Sequence, residues 1–203
     1  MWLESEKVGV RFDEKWGGMP MEDSLSLLKC ASIELALKRG PFFQSRNDTR
    51  SRIKRLDSEL IISGIMRRHG EALKLKHTYE LKAKLEDNVL FLDFKLNVPT
   101  TESIMRSKIW FLTRWFDKCI VDGKPLKIGE MSPAWKLVKR TPEQPTSLVL
   151  SNDKFSLEIQ GNTAPSVFWS LYKYNKLEII YGWAQEEIEE GTYTGSLKVI
   201  YGV

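Results

Sequence analysis

Chemistry-bearing side chains are scarce in this 203-residue chain, which holds two histidines and two cysteines. His69 and His77 are eight residues apart and on opposite sides of a predicted break between elements, so they read as ordinary surface or partly buried imidazoles. No His-Glu-x-x-His, Cys-x-x-Cys, Gly-x-Ser-x-Gly or Walker-type glycine loop occurs, which removes the motif-bearing metalloproteases, zinc ribbons, α/β-hydrolases and P-loop enzymes. A small hydrolase would need the fold to bring a histidine to a carboxylate or thiol. Long apolar runs are missing too: clusters such as residues 109–113 fall far short of the roughly 20 residues a membrane-spanning helix needs. The first six residues lack the apolar centre of a signal peptide, Trp2 stands where myristoylation requires glycine, and no prenylation box closes the sequence. Cys30 and Cys119 are far apart among apolar residues, so two buried thiols in a reducing, cytoplasmic setting are expected, and the sequon Asn47-Asp48-Thr49 reads as accidental.

What is present is enough apolar surface for a folded core. Hydrophobic residues make up 42% and aromatics 11%, with seven Trp, nine Phe and six Tyr, while charged residues stay at an ordinary 29%. Charge is unevenly placed. Between Lys38 and Lys76 the chain carries eleven Lys and Arg against four acids, a net +7, although the whole chain is only +4. Clustered cations of this kind suit an anionic partner, and Arg46, Arg50, Arg52, Lys54, Arg55, Arg67 and Arg68 are the candidate binding residues.

The apolar spacing predicts an α+β protein: a helical N-terminal third followed by a mostly antiparallel sheet packed on one long helix. Residues 1–76 form the helical basic region and 77–203 the β-rich core, as one continuous globular unit. One helix is expected from Asp23 or Ser24 to the stop Lys38-Arg39-Gly40-Pro41, with Leu25, Leu28, Ala31, Ile33, Leu35 and Leu37 as its core side. Phe42-Phe43 begins a linker. A second helix from about Arg50 to Arg68 places Ile53, Leu56, Leu60, Ile61 and Ile65 on one face, and a third, about 101–121, buries Met105, Ile109, Leu112, Phe116 and Ile120.

After His77 the period becomes 2. Tyr79, Leu81, Ala83 and Leu85, then Leu90, Leu92, Phe94, Leu96 and Val98, alternate with polar positions across an Asp87-Asn88 turn and predict a hairpin. Further strands are expected at 135–140, 147–151, 155–160, 177–183 and 192–201, while 167–174 reads equally as short helix, strand or aromatic loop. The acidic run Glu186, Glu187, Glu189 and Glu190 reads first as a solvated turn between the last strands; its alternative is a contact with the basic region of a neighbouring copy. Trp110 and Trp115 lie off the apolar stripe of the predicted third helix and are candidates for a subunit or membrane contact.

The order of elements from about 78 to 201 resembles the globular core of rhabdovirus-type matrix proteins. It is carried by the 88–98 strand, the helix end Trp115-Phe116-Asp117-Lys118-Cys119-Ile120, the loop Asp122-Gly123-Lys124-Pro125 and the late segment Gly191-Thr192-Tyr193-Thr194-Gly195. That resemblance implies a non-enzymatic viral structural protein of the virion that self-associates and binds an anionic membrane surface or ribonucleoprotein. On the residues themselves no cofactor, no metal and no small-molecule substrate is expected. Animal members of that family carry proline-rich budding motifs, and this chain has none. Competing expectations are a nucleic-acid-binding regulator or silencing suppressor using the same arginines, and a strand-exchanging subunit like secreted pilins, since 191–199 is also similar to their terminal strand.

Overall fold

The computed structural model describes residues 1–25, 27–68, 71–72, 76–113, 118–121, 123–126, 138–139, 146–161, 166–172 and 176–202. The first three strands, β1 (Trp2–Glu4), β2 (Gly9–Asp13) and β3 (Met19–Asp23), form a small sheet. There follow β4 (Leu28–Leu37), β5 (Phe42–Gln44), β6 (Arg52–Leu56), β7 (Glu59–Ile65), β8 (Arg67–Arg68) and β9 (Glu71–Ala72). The chain continues through β10 (Thr78–Glu86), β11 (Val89–Val98), β12 (Glu102–Thr113), β13 (Lys118–Val121), β14 (Lys124–Leu126) and β15 (Val138–Lys139). It closes with β16 (Thr146–Ser151), β17 (Ser156–Gly161), β18 (Ser166–Tyr172), β19 (Lys176–Ile188) and β20 (Gly191–Gly202).

Two large sheets carry the architecture. A nine-stranded sheet runs β14-β13-β16-β17-β20-β11-β10-β7-β6, and an eight-stranded sheet runs β15-β18-β19-β12-β4-β5-β8-β9. Every described pairing is antiparallel. The inner faces share one apolar core, to which β10 and β11 contribute the opposed pairs Tyr79/Leu96, Leu81/Phe94, Ala83/Leu92 and Leu85/Leu90. The sheets approach closely at Gly195, where a Cβ would meet Ile109 Cδ1 at 2.7 Å, and Trp183 Nε1 donates across to Thr194 O at 3.0 Å. A side chain there would require the end of Ile109 to move aside, so glycine gives the tightest approach of the two sheets.

The predicted α+β class is therefore wrong: no α-helix exists among the described residues, and the only helical pieces there are 3-10 turns at Glu14–Trp16 and Ser45–Asn47. The first expected helix is β4. Ala31, Ile33, Leu35 and Leu37 also alternate with period 2, and both faces of β4 are buried, so its apolar run carries no unambiguous period. The second expected helix is the hairpin β6–β7, turned at Asp57 with φ 48°, followed by β8. Its core residues are Leu60 and Ile62, whereas Leu56 is exposed. The third is β12, whose isoleucine and aromatic content suits a strand.

The strand expectations fared better. The 78–98 hairpin turns at Asp87 with φ 53°, and Leu157, Ile159, Leu197, Val199 and Tyr201 all face the core. Residues 166–172 resolve the open alternative as a strand. Both cysteines are buried and neither is in a disulfide, and burial pushes the Cys119 thiol up to about 12.

Candidate functional site

The middle of the eight-stranded sheet holds a carboxylate where an apolar side chain would be expected. Glu34 lies on β4 and is only 6% exposed. Gln44, directly opposite on β5, donates from Nε2 to Glu34 Oε2 at 2.6 Å, and Arg106 on β12 donates from Nε to Glu34 Oε1 at 3.1 Å. Arg46 Nε in turn donates to Gln44 Oε1 at 2.6 Å, extending the chain of donors. Burying an ionised carboxylate is costly unless charged and amide donors surround it, and each such bond is worth about 1.5–3 kcal/mol. Both Glu34 oxygens meet that condition.

Local structure explains the arrangement. β4 and β5 pair at Glu34–Gln44, Leu35–Phe43 and Ala36–Phe42, after which the chain leaves the ladder in the Ser45–Asn47 turn. Ser45 Oγ then accepts Ile33 N at 3.0 Å and lies 3.1 Å from Ser32 Oγ, and Arg46 N donates to Ser32 Oγ at 3.4 Å. The Ser45 hydroxyl thus takes the place of a strand carbonyl as acceptor for the Ile33 N–H at the edge of β4. Phe42 remains 45% exposed beside the cluster, with the Arg106 guanidinium 5.4 Å from its ring centre. A carboxylate acceptor, amide and guanidinium donors and an exposed aromatic ring together complement a ligand rich in hydroxyls with an apolar face.

A concave surface of about 400 Å³ lies elsewhere, at the β6–β7 side of the nine-stranded sheet. It gathers three of the predicted cations, Arg50, Arg52 and Arg67, with Lys95. Asp48, 1% exposed, organises one wall: its Oδ1 accepts Arg67 Nε at 2.7 Å and Arg50 N at 3.1 Å, and its Oδ2 accepts Ile65 N at 2.8 Å. Beneath lies Tyr79, whose hydroxyl donates to Gly17 O at 2.8 Å and is held well above the usual phenol range, by burial first and by the Asp48 charge second.

The other sequence candidates scatter. Lys54 and Arg55 are exposed on the edge strand β6, and Arg68 is exposed on β8. Glu186 and Glu187 are exposed at the end of β19, Glu186 with φ 74°, and Glu189 and Glu190 are exposed in the following turn. The Trp110 backbone lies in β12 opposite Ser32 and Ile180; its side chain, all of Trp115 and His69 fall outside the described residues. His77 is wholly buried with Nε2 4.0 Å from Glu102 Oε1, longer than a hydrogen bond, and does not line the Asp48 cleft. Among the described residues no group of three or more His, Cys, Asp or Glu is placed to hold a metal ion, and no helix is long and apolar enough to cross a membrane. Glu34, Gln44, Phe42 and Arg106 were missed from sequence. A lone acid inside the apolar run 28–37 was the available signal.

No protein-family model and no curated protein matches the chain in sequence. Solved structures do match it in fold. A galactose mutarotase-like protein from Lactobacillus casei ATCC 334 superposes with TM-score 0.69 at 11% identity, over 100% of this chain and 99% of that one. A galactose mutarotase related enzyme from Lactobacillus acidophilus gives 0.68 at 10% identity, over 100% and 97%. An alpha-mannosidase from Enterococcus faecalis V583 gives 0.63 at 9% identity, over 99% of this chain and 29% of that one. At these identities the likeness is one of fold. It overturns the resemblance to rhabdovirus matrix proteins: the architecture is the two-sheet one of mutarotase-like proteins. The expectations built on that resemblance go with it, namely a non-enzymatic, self-assembling virion protein, a lipid or nucleoprotein partner and no small-molecule substrate. The nucleic-acid regulator, silencing suppressor and pilin-like alternatives give way on the same finding of fold.

Proposed function

We propose that the chain binds a small aldose on the outer face of the eight-stranded sheet and interconverts its anomers. The observation that carries this reading is Glu34, a nearly buried carboxylate fixed by Gln44 and Arg106 beside an exposed Phe42, in a fold that mutarotase-related proteins share. In anomer exchange the O1–H proton leaves as the C1–O5 bond breaks and C1=O forms; a proton arrives at O5, and reclosure on either face reverses each transfer. Glu34 is placed to accept the O1 proton, Arg106 and Gln44 to hold neighbouring hydroxyls, and solvent supplies the proton to O5. Phe42 offers its ring to the C–H face of the sugar.

A second reading is sugar binding without turnover. It is favoured by the two donors on Glu34, which already occupy a lone pair on each carboxylate oxygen and leave fewer to receive a substrate proton. Polarimetry on freshly dissolved α-galactose and α-glucose, run beside ligand-observed NMR, separates the two. Catalysis predicts optical rotation relaxing faster than in buffer, with the gain lost in Glu34→Gln. Binding in NMR with no acceleration selects the second reading, and neither signal with any hexose tested overturns both.

A further inference from the structure

The Asp48-walled cleft uses none of the residues around Glu34 and has a different chemistry. Four cations, Arg50, Arg52, Arg67 and Lys95, face two acids, Asp48 and Glu80, leaving the surface net +2. One acid is already paired and the other has a cation across the ladder. Asp48 holds Arg67, and Glu80 stands opposite Lys95 in the β10–β11 register. Arg50 and Arg52 are exposed, and neither guanidinium has an ion-pair partner among the described residues. Two unmatched guanidiniums present paired N–H groups that fit a doubly charged oxyanion, for which arginine is suited by its planar, bidentate fork. Beside them runs a ladder of side-chain hydrogen bonds, Thr192 Oγ1 to Asn97 Oδ1 at 2.9 Å and Asn97 Nδ2 to Thr78 Oγ1 at 3.0 Å, which offers hydroxyl and amide groups to the rest of a small ligand.

The site is also built to hold its shape. Gly64 passes so close beneath it that a Cβ would fall 2.2 Å from Asp48 Oδ2 and 2.5 Å from the Tyr79 hydroxyl. Asp48 can therefore reach Ile65 N and Arg67 together only because residue 64 has no side chain. Arg67 is thereby oriented before any ligand arrives, which lowers the ordering cost of binding.

We infer that this cleft binds the phosphate group of a small phosphomonoester, with Arg50 and Arg52 as its principal contacts, independently of the proposed sugar site. The test is calorimetric and NMR titration of the full chain with inorganic phosphate and with glycerol 3-phosphate, at ionic strength held constant with sodium chloride. Saturable binding of both is expected, with amide shifts at Thr78, Lys95 and Asn97. The double variant Arg50→Ala/Arg52→Ala should bind at least tenfold more weakly, while Lys54→Ala/Arg55→Ala, equally exposed but outside the cleft, should bind within twofold of the native chain. Equal weakening in both variants would mean general charge attraction and overturn the proposal. So would the absence of saturable binding, or binding of inorganic phosphate alone. Polarimetry with neutral hexoses is unaffected by either outcome, so the two proposals fail separately.

Discussion

On the nine-stranded sheet the outward side chains of β10 and β11 stand in or near water, whereas at the middle of the eight-stranded sheet β4 is covered on both sides. The first situation makes polar residues inexpensive. Lys82 opposite Asp93 and Glu80 opposite Lys95 are cross-strand neighbours on a solvated face, where such pairs contribute little. The second makes any polar residue costly unless it is fully bonded, and Ser32, Glu34 and Ser45 are all buried with partners. Where polar groups are retained despite that cost, they specify geometry. Position, more than residue type, separates a structural charge from a candidate functional one.

That contrast can be broken by substitution. The largest effect is expected at Asp48, where Asp48→Ala leaves Arg67 and two backbone donors without their acceptor and should cost about 3–5 kcal/mol in urea unfolding. Asp93→Ala on the open face should stay within about 0.5 kcal/mol, and similar losses for both would erase the distinction. Next comes Gly64→Ala, which forces a methyl group against Asp48 and Tyr79 and should cost about 1–3 kcal/mol by the same measurement.

The pH dependence of stability should carry both signs. Asp23 is 2% exposed, accepts Leu27 N at 2.8 Å and Leu28 N at 2.5 Å, and faces the Tyr201 hydroxyl. Burial raises its pKa above the ordinary 3.8 despite those bonds, so its stabilising contribution is complete below that value and is lost as pH rises through the elevated one. Glu158 on the open sheet is shifted the other way, by bonds from Gln160 and Ser147, so its contribution is present above the ordinary 4.5 and lost as pH falls through the lowered value. Urea midpoints followed from pH 3 to 7 should show Asp23→Asn flattening the loss on the rising side and Glu158→Gln flattening the loss on acidification. Matching slopes in native and variant chains would contradict these assignments.

Smallest in energy is the edge. Lys54→Val/Arg55→Thr should leave the urea midpoint unchanged within about 0.5 kcal/mol but raise self-association in sedimentation, because charges on β6 keep that open strand from pairing with another sheet. An unchanged monomer would remove that role.

The same contrast governs what the sequence could disclose. Strands with one face in water print a period of two, so β10, β11, β17 and β20 were legible residue by residue. β4 prints a continuous apolar run, and the hairpin β6–β7 places isoleucines on both sides of a turn that lacks glycine, so each mimicked a helix. The basic run was visible as charge but not as shape: Arg50, Arg52 and Arg67 line one cleft, in which the Asp48 carboxylate ties the Arg50 backbone to Arg67, 19 positions away. Glu34 and Arg106, 72 positions apart, meet only through the β4–β12 pairing.

One strand decides when this protein can exist as a folded body. β20 lies between β11 and β17, and its Tyr201 N donates to Asn88 O while Asn88 Nδ2 returns a bond to Tyr201 O. On the ribosome, every strand it joins is synthesised before it. Until residues 191–202 emerge, β11-β10-β7-β6 and β17-β16-β13-β14 are two fragments with facing raw edges. Closure of this sheet is thus postponed until residues 191–202 have been made, a long-range pairing that is slow and leaves the earlier strands relying on their charged edges meanwhile.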